Sequence, residues 1–235
     1  MATNAIILTC EHASNALPAP YRHLFVGETA VFATHRAYDI GALHIARALS
    51  KALAAPLFSG NATRLLVDLN RAASNPNVFS TFSRQLSVAT RNELIDHYHA
   101  PFHQSVRAAI DELLRNANRV THISVHSHTP ELNGHVRNNA LGILYDPARL
   151  REVRVAKLLK ARVQLRRADW HVRFNYPYRG TGDGHVTALR KTHSQRRYVG
   201  LELEINQRLL IQPHVARAVA MVLSAALKDV LHSHS

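Results

Sequence analysis

Short apolar, β-branched runs separated by amphipathic helical segments constrain the fold of this chain more than any other feature. Residues 5–10 form an apolar run ending in a polar cluster, the pattern of a buried strand. Residues 31–34 read as a second strand. Residues 40–54 place Ile40, Leu43, Ile45, Ala46, Leu49 and Leu53 on one broad face, and Pro56 ends that helix. Further strands are expected at 56–59, 65–67, 120–125, 141–145, 170–174 and 198–205. A long helix is expected over 91–117 with an interruption at Pro101. Pro147 opens a basic helix over 149–167, with Leu150, Val153, Val155, Leu158 and Leu159 facing inward. Residues 213–231 form a closing helix through Val215, Val219, Val222, Leu223 and Leu227. Strands alternating with helices imply an α/β layer architecture with a largely parallel sheet. No repeat, low-complexity tract or linker divides the 235 residues, so one domain over 1–235 is expected.

Composition narrows the class. The hydrophobic fraction of 46% supplies a core and excludes a disordered chain. A lone cysteine, Cys10, excludes a disulfide scaffold, and it reads as a small buried residue. No stretch approaches the roughly 18–20 apolar residues of a membrane span. The N-terminal residues lack a basic region and reach Glu11 and His12 too early for a signal peptide, so a cytoplasmic setting is expected. The net charge of +13 raises the question of nucleic acid. The basic residues are spread from Arg22 to Lys228, without a nucleic-acid-binding motif or a basic tail, so nucleic acid is not an expected partner. A basic surface does favour small acidic substrates.

In open sheets of this kind, sites gather at the carboxyl ends of strands. The first strand ends in Cys10-Glu11-His12-Ala13-Ser14-Asn15, and the strand at 120–125 leads into His126-Ser127-His128. The last strand carries Glu202 and Glu204, which share a face at period two. Asp39 precedes the first long helix, where it is also a natural N-cap. Imidazoles and carboxylates at several strand ends suit a catalytic zinc, which takes three protein ligands and leaves a position for water. In the segment 63–71, Arg64, Asn70 and Arg71 suit a substrate carboxylate, because a guanidinium can grip one with two parallel hydrogen bonds. A simpler role there is an ion pair between Asp68 and an arginine. The Gly-rich loop 176–184 is expected to be mobile and offers Tyr178 and Arg179 to a substrate. His97, His99 and His103 fall on a helix and are expected to be structural or solvent-facing. His232 and His234 belong to a terminus expected to fray.

Five motifs in order carry a resemblance. Cys-Glu-His-Ala-Ser-Asn at 10–15, Tyr-Asp-Ile-Gly at 38–41, Thr-Arg-Leu-Leu-Val-Asp-Leu-Asn-Arg at 63–71, His-Ser-His at 126–128 and Leu-Glu-Ile-Asn at 203–206 resemble the N-formylglutamate amidohydrolase family. The resemblance implies a three-layer, zinc-exopeptidase-like domain with a mixed, mostly parallel sheet between helices. It implies one zinc per chain, with His12 and His126 as ligands. Asn15 stands where the H-x-x-E pattern of carboxypeptidase-like enzymes has Glu; the resemblance to cell-wall amidases, whose carboxylate ligand opens the next helix, implies Asp39 instead, with Glu11 as the alternative. It implies Glu204 as general base and acid, with Glu202 as competitor. Arg64, Asn70 and Arg71 resemble the substrate-carboxylate clamp of the aspartoacylase group, where Asp-Leu-Asn-Arg recurs, and His128 is expected in a supporting or substrate-facing place. The implied reaction is hydrolysis of the linear amide of a small acidic N-acyl amino acid, N-formyl-L-glutamate first. The other readings are an amidase on a peptidoglycan-like or other N-acyl substrate, and an inactive basic binding module.

Overall fold

A computed structural model describes residues 4–232; His234 lies outside the described residues. The strands are β1 (Asn4–Cys10), β2 (Leu57–Ser59), β3 (Arg119–His128), β4 (Glu131–Leu132), β5 (His135–Val136), β6 (Leu141–Leu144), β7 (Val172–Phe174) and β8 (Tyr198–Asn206). The α-helices are α1 (Ala42–Leu53), α2 (Val88–Leu94), α3 (Ala100–Asn116), α4 (Leu150–Arg166), α5 (His185–Thr192) and α6 (Pro213–His232). Six strands form one sheet in the order β2-β1-β3-β8-β6-β7, and β4 pairs with β5 in a separate hairpin. β2, β1, β3 and β8 are parallel, whereas β6 and β7 run the other way. Four strands therefore deliver their carboxyl ends to one edge of the sheet.

The two sheet faces differ chemically, and strand periodicity is the cause. One face shows Leu8, Cys10, Ile123, Val125, Leu201, Leu203, Leu141 and Ile143 to a layer made by α1, α4 and α6. On the other face, α3 and α5 cover only the apolar beginning, through Ile7, Val120, Tyr198, Val106, Ile110 and Leu189. Beyond that cover the same face turns polar, with Thr9, His122, Ser124, His126, Glu202 and Glu204 all buried. The register sets Ser124 beside Glu202 and His126 beside Glu204.

Several expectations need correction. Residues 31–34 are not a strand; Thr29–Ala33 is a 3₁₀ turn whose Val31 packs with Phe25, Ala37 and Leu65. Residues 65–67 are an irregular turn, buried because Leu66 and Val67 pack on Val78 and Leu94. The long helix divides at a π-turn, Ile95–His99, just before Pro101, whose missing N–H cannot continue the ladder. In α4, Val155 and Leu159 are buried, but Leu150, in the open first turn, is 75% exposed. Asp39 is not the N-cap of α1. Gly41 holds that place with φ +81°, where an added Cβ would meet the Leu210 side chain at 2.7 Å.

His122 makes the polar face testable. It is fully buried between Thr9 Oγ1 at 2.8 Å and the Tyr198 hydroxyl at 2.7 Å. Burial first, then nearby His185, pushes its pKa down to about 3. An unfolded His takes its proton near pH 6.5, so stability is intact above that pH and declines as pH falls towards 3. His122→Gln is expected to reduce the stability lost between pH 6.5 and 4.5 by about 2 kcal/mol, read by urea unfolding at both pH values. Equal losses in the two chains would refute this.

Candidate metal centre and active-site cavity

The polar ends of β1, β3 and β8 open into a cavity of about 420 Å³. His12 follows β1 by two residues, and its carbonyl accepts the Asp39 N–H at 2.9 Å. That bond, followed by the turn at Gly41, sends the Asp39 side chain towards the sheet edge rather than onto α1. His126 comes from β3. One nitrogen or oxygen from each of His12, Asp39 and His126 lies within 4.8 Å of the others, and all three residues are buried.

The surroundings hold this trio in place. His12 Nε2 is 2.6 Å from Asp68 Oδ1, which fixes the ring and leaves Nδ1 facing Asp39 at 3.5 Å. That Nδ1 is buried and has no hydrogen-bond partner. His126 Nδ1 is 2.9 Å from Asp39 Oδ2, and its Nε2 is 2.8 Å from Ser124 Oγ. Glu11 stands behind, not within, the trio. It accepts from Ser124 Oγ at 2.7 Å and His185 Nδ1 at 2.8 Å, and it faces His126 Nε2 at 3.3 Å. Carboxylates behind imidazoles are the usual support of metal-ligating histidines. Asn15, in the position that departs from H-x-x-E, turns away and donates to the Phe32 carbonyl at 2.9 Å.

The charge balance is unusual. Glu152 excepted, every buried carboxylate among the described residues belongs to this site: Glu11, Asp39, Asp68, Glu202 and Glu204. Burial opposes the charge of Asp39, but His12 and His126 outweigh it and hold that carboxyl well below its usual range. Burial likewise opposes Asp68, and Arg64 and His12 outweigh it. Asp39 and Glu11 overcome burial to raise His126. Glu204 differs. Burial, then Asp39 and Glu202, pushes its carboxyl up to about 8, and its Oε2 is buried without a partner. Glu202 is also raised, chiefly by burial, with His126 and Arg190 acting against the rise, and its Oε2 is 4.0 Å from His126 Nε2. Packing several carboxylates out of water is costly unless cationic charge compensates. With the unpartnered His12 Nδ1, this makes the His12, Asp39 and His126 set a fit for a divalent cation with nitrogen and oxygen ligands.

The walls are basic. Arg64 bridges Asp68 at 3.0 Å and Asp39 at 3.4 Å, combining the ion-pair role with a place on the cavity. Asn70 approaches His126 Nε2 at 3.4 Å, and Arg71 and Arg179 line the opening. Tyr178, 47% exposed, lies under the Arg137 guanidinium at 5.4 Å. The loop 176–184, expected to be mobile, is tied down. Asp183 accepts from Ala72 N–H and Asn75 Nδ2, and Arg190 donates to the Gly180 carbonyl. Of the two places expected for His128, its position matches the supporting one. It is buried outside the cavity lining, with Nδ1 donating to the Thr129 carbonyl at 3.0 Å and Nε2 accepting from Asn139 at 3.2 Å. The sequence reading missed Ser124 and His185. Alternation of polar residues along β3 marks Ser124; His185 lies 174 residues from Glu11, and no local pattern marks it.

Fold and site define an α/β domain with a candidate metal centre and an arginine-lined cavity at the carboxyl ends of its parallel strands. The N-formylglutamate amidohydrolase family model matches residues 4–211, and the chain belongs to that family. Among solved structures, it is similar to gene product Atu2144 from Agrobacterium tumefaciens at 29% identity and TM-score 0.86, covering 99% of this chain and 92% of that one. It shares its fold with an N-formylglutamate amidohydrolase from Ralstonia eutropha JMP134 at 15% identity and TM-score 0.70, covering 99% and 94%. No curated protein matches the chain. Family membership points to amidohydrolase activity. Among the described residues, no helix is long and apolar enough to cross a membrane.

Proposed function

We propose that residues 1–235 form one zinc-dependent amidohydrolase domain that cleaves the linear amide of a small acidic N-acyl amino acid, N-formyl-L-glutamate first. One observation carries this reading: the unpartnered His12 Nδ1 and the unpartnered Glu204 Oε2 belong to the same buried cavity. His12, Asp39 and His126 would hold the ion. When bound, zinc supplies Lewis-acid charge that polarises an amide carbonyl and lowers the pKa of a water towards about 7. Glu204, whose carboxyl stands at about 8 without a cation, would be held ionised by the bound ion's charge, and its Oε2 would take a proton from the attacking water and deliver it to the departing amine nitrogen. Glu202, by contrast, has no carboxylate oxygen buried without a partner. Asn70, Arg71 and Arg179 receive the substrate carboxylates, with Arg64 and Tyr178 at the same wall. The volume of about 420 Å³ supports a small substrate over a polymer.

Elemental analysis of protein purified without chelator tests the metal. About one zinc per chain is expected, lost in His126→Ala, with N-formyl-L-glutamate hydrolysis following zinc content. A folded, metal-free wild type that takes up no zinc and turns over no substrate overturns the reading and favours an inactive binding module.

A further inference from the structure

The turn at residues 68–71 carries three groups of the site: Asp68 behind His12, Asn70 beside His126, and Arg71 on the cavity wall. It belongs to no helix or strand, so side chains from elsewhere must anchor its backbone if these groups are to hold still. Two imidazoles supply anchors. His99 Nε2 donates to the Arg71 carbonyl at 2.8 Å, and His103 Nε2 donates to the Leu69 carbonyl at 2.9 Å. The two accepting carbonyls bracket Asn70. The i, i+4 spacing puts both rings on one side of the helical run, where they stack at 4.1 Å with planes 15° apart. The His103 ring also meets His185 at 4.3 Å. The backbone N–H of His185 donates to Asn70 Oδ1 at 2.8 Å, so Asn70 is held from the side-chain end as well.

We propose that His99 and His103 are positioning residues that set Asn70 and Arg71, and with them the substrate-carboxylate side of the cavity. The inference rests on the functional reading above for its substrate, but the clamp itself rests on the two hydrogen bonds and the stack. The clamp needs a ring N–H at the height of Nε2. Phe keeps the stack and loses the donor, whereas Gln places an amide N–H near the same point. Misplacing a binding group by about 1 Å can cost on the order of 10²-fold in a reaction.

The test compares His99→Phe and His103→Phe with His99→Gln and His103→Gln in the zinc-loaded full chain. Each Phe variant is expected to raise KM for N-formyl-L-glutamate at least about ten-fold with kcat changed less than about three-fold, and each Gln variant to stay within about three-fold of wild type. Phe variants with wild-type KM, or Gln variants as impaired as the Phe variants, overturn the proposal. Should a Phe variant fail to fold, His103→Asn, whose amide is too short to reach Leu69, takes its place under the same criteria. A wild type that binds zinc without hydrolysing N-formyl-L-glutamate defeats the functional reading instead. The clamp is then judged by zinc affinity in competition with a chromogenic chelator, because Asp68 lies on the same turn. At least about ten-fold weakening in the Phe variants and not in the Gln variants sustains it; unchanged affinity overturns it.

Discussion

Glu204→Gln is expected to lower kcat for N-formyl-L-glutamate by about 10²–10⁴-fold while zinc stays bound. That range corresponds to roughly 3–5 kcal/mol of lost transition-state stabilisation. The substitution keeps the shape of the side chain and removes its capacity to carry a proton. Glu204 is outside the His12, Asp39 and His126 set, so metal content should not change. KM should move little, because Asn70, Arg71 and Arg179, not Glu204, are the proposed holders of the substrate. Glu202→Gln is the internal control, with a smaller expected loss, since Glu202, unlike Glu204, has no carboxylate oxygen buried without a partner. Full turnover by zinc-loaded Glu204→Gln would remove Glu204 from the mechanism. A larger loss in Glu202→Gln would transfer the role to Glu202.

The second large effect lies outside the cavity. Arg190 and Glu152 form a buried pair, with Arg190 Nε and Nη2 at 3.0 and 2.9 Å from the two carboxylate oxygens. Glu152 is fully buried and also accepts from the N–H groups of Asp146 and Gly200. Arg190 further donates to the carbonyls of Gly180 and Gly200, joining α5, β8 and the loop 176–184. Arg190→Met removes a cation and leaves an anion buried. The expected cost is about 3 kcal/mol in urea unfolding, the low end of the roughly 3–5 kcal/mol for breaking such a pair, because Arg149 remains 3.1 Å from Glu152. Adding Glu152→Gln should recover part of the loss, since the uncompensated charge is then gone. A cost below about 1 kcal/mol, or no recovery in the double variant, would show the pair to be energetically idle. KM should also rise in Arg190→Met, because the Gly180 carbonyl tether holds the loop that carries Tyr178 and Arg179.

The alternation of His122, Ser124, His126 and His128 along β3, and of Glu202 and Glu204 along β8, is legible in the sequence. Period two places each set on one face, and the structure has both sets there. Helices with a broad apolar face were equally legible, because burial of that face is what stabilises them. Short apolar runs were not. Residues 31–34 and 65–67 satisfy a strand template, yet each buries its side chains from a turn in a small cluster beside the main core. His128 shows the limit of periodicity. It shares the face of His126, but two residues further along the strand Thr129 and Asn139 claim its ring.

The sequence by itself determined the layer order, the apolar faces, the strand ends where imidazoles and carboxylates collect, and the family. Only the tertiary structure decided which carboxylate meets the imidazoles. Asp39 and Glu11 are both carboxylates just outside an element end, Glu11 after β1 and Asp39 before α1. The left-handed Gly41 and the bond from Asp39 N–H to the His12 carbonyl send Asp39 between the two rings. Ser124 and His185 bind Glu11 behind His126. The same holds for His99 and His103, whose partners are backbone carbonyls 28 and 34 residues away. Local periodicity fixes the face on which a side chain stands; what it touches across the fold depends on long-range packing, which no local pattern records.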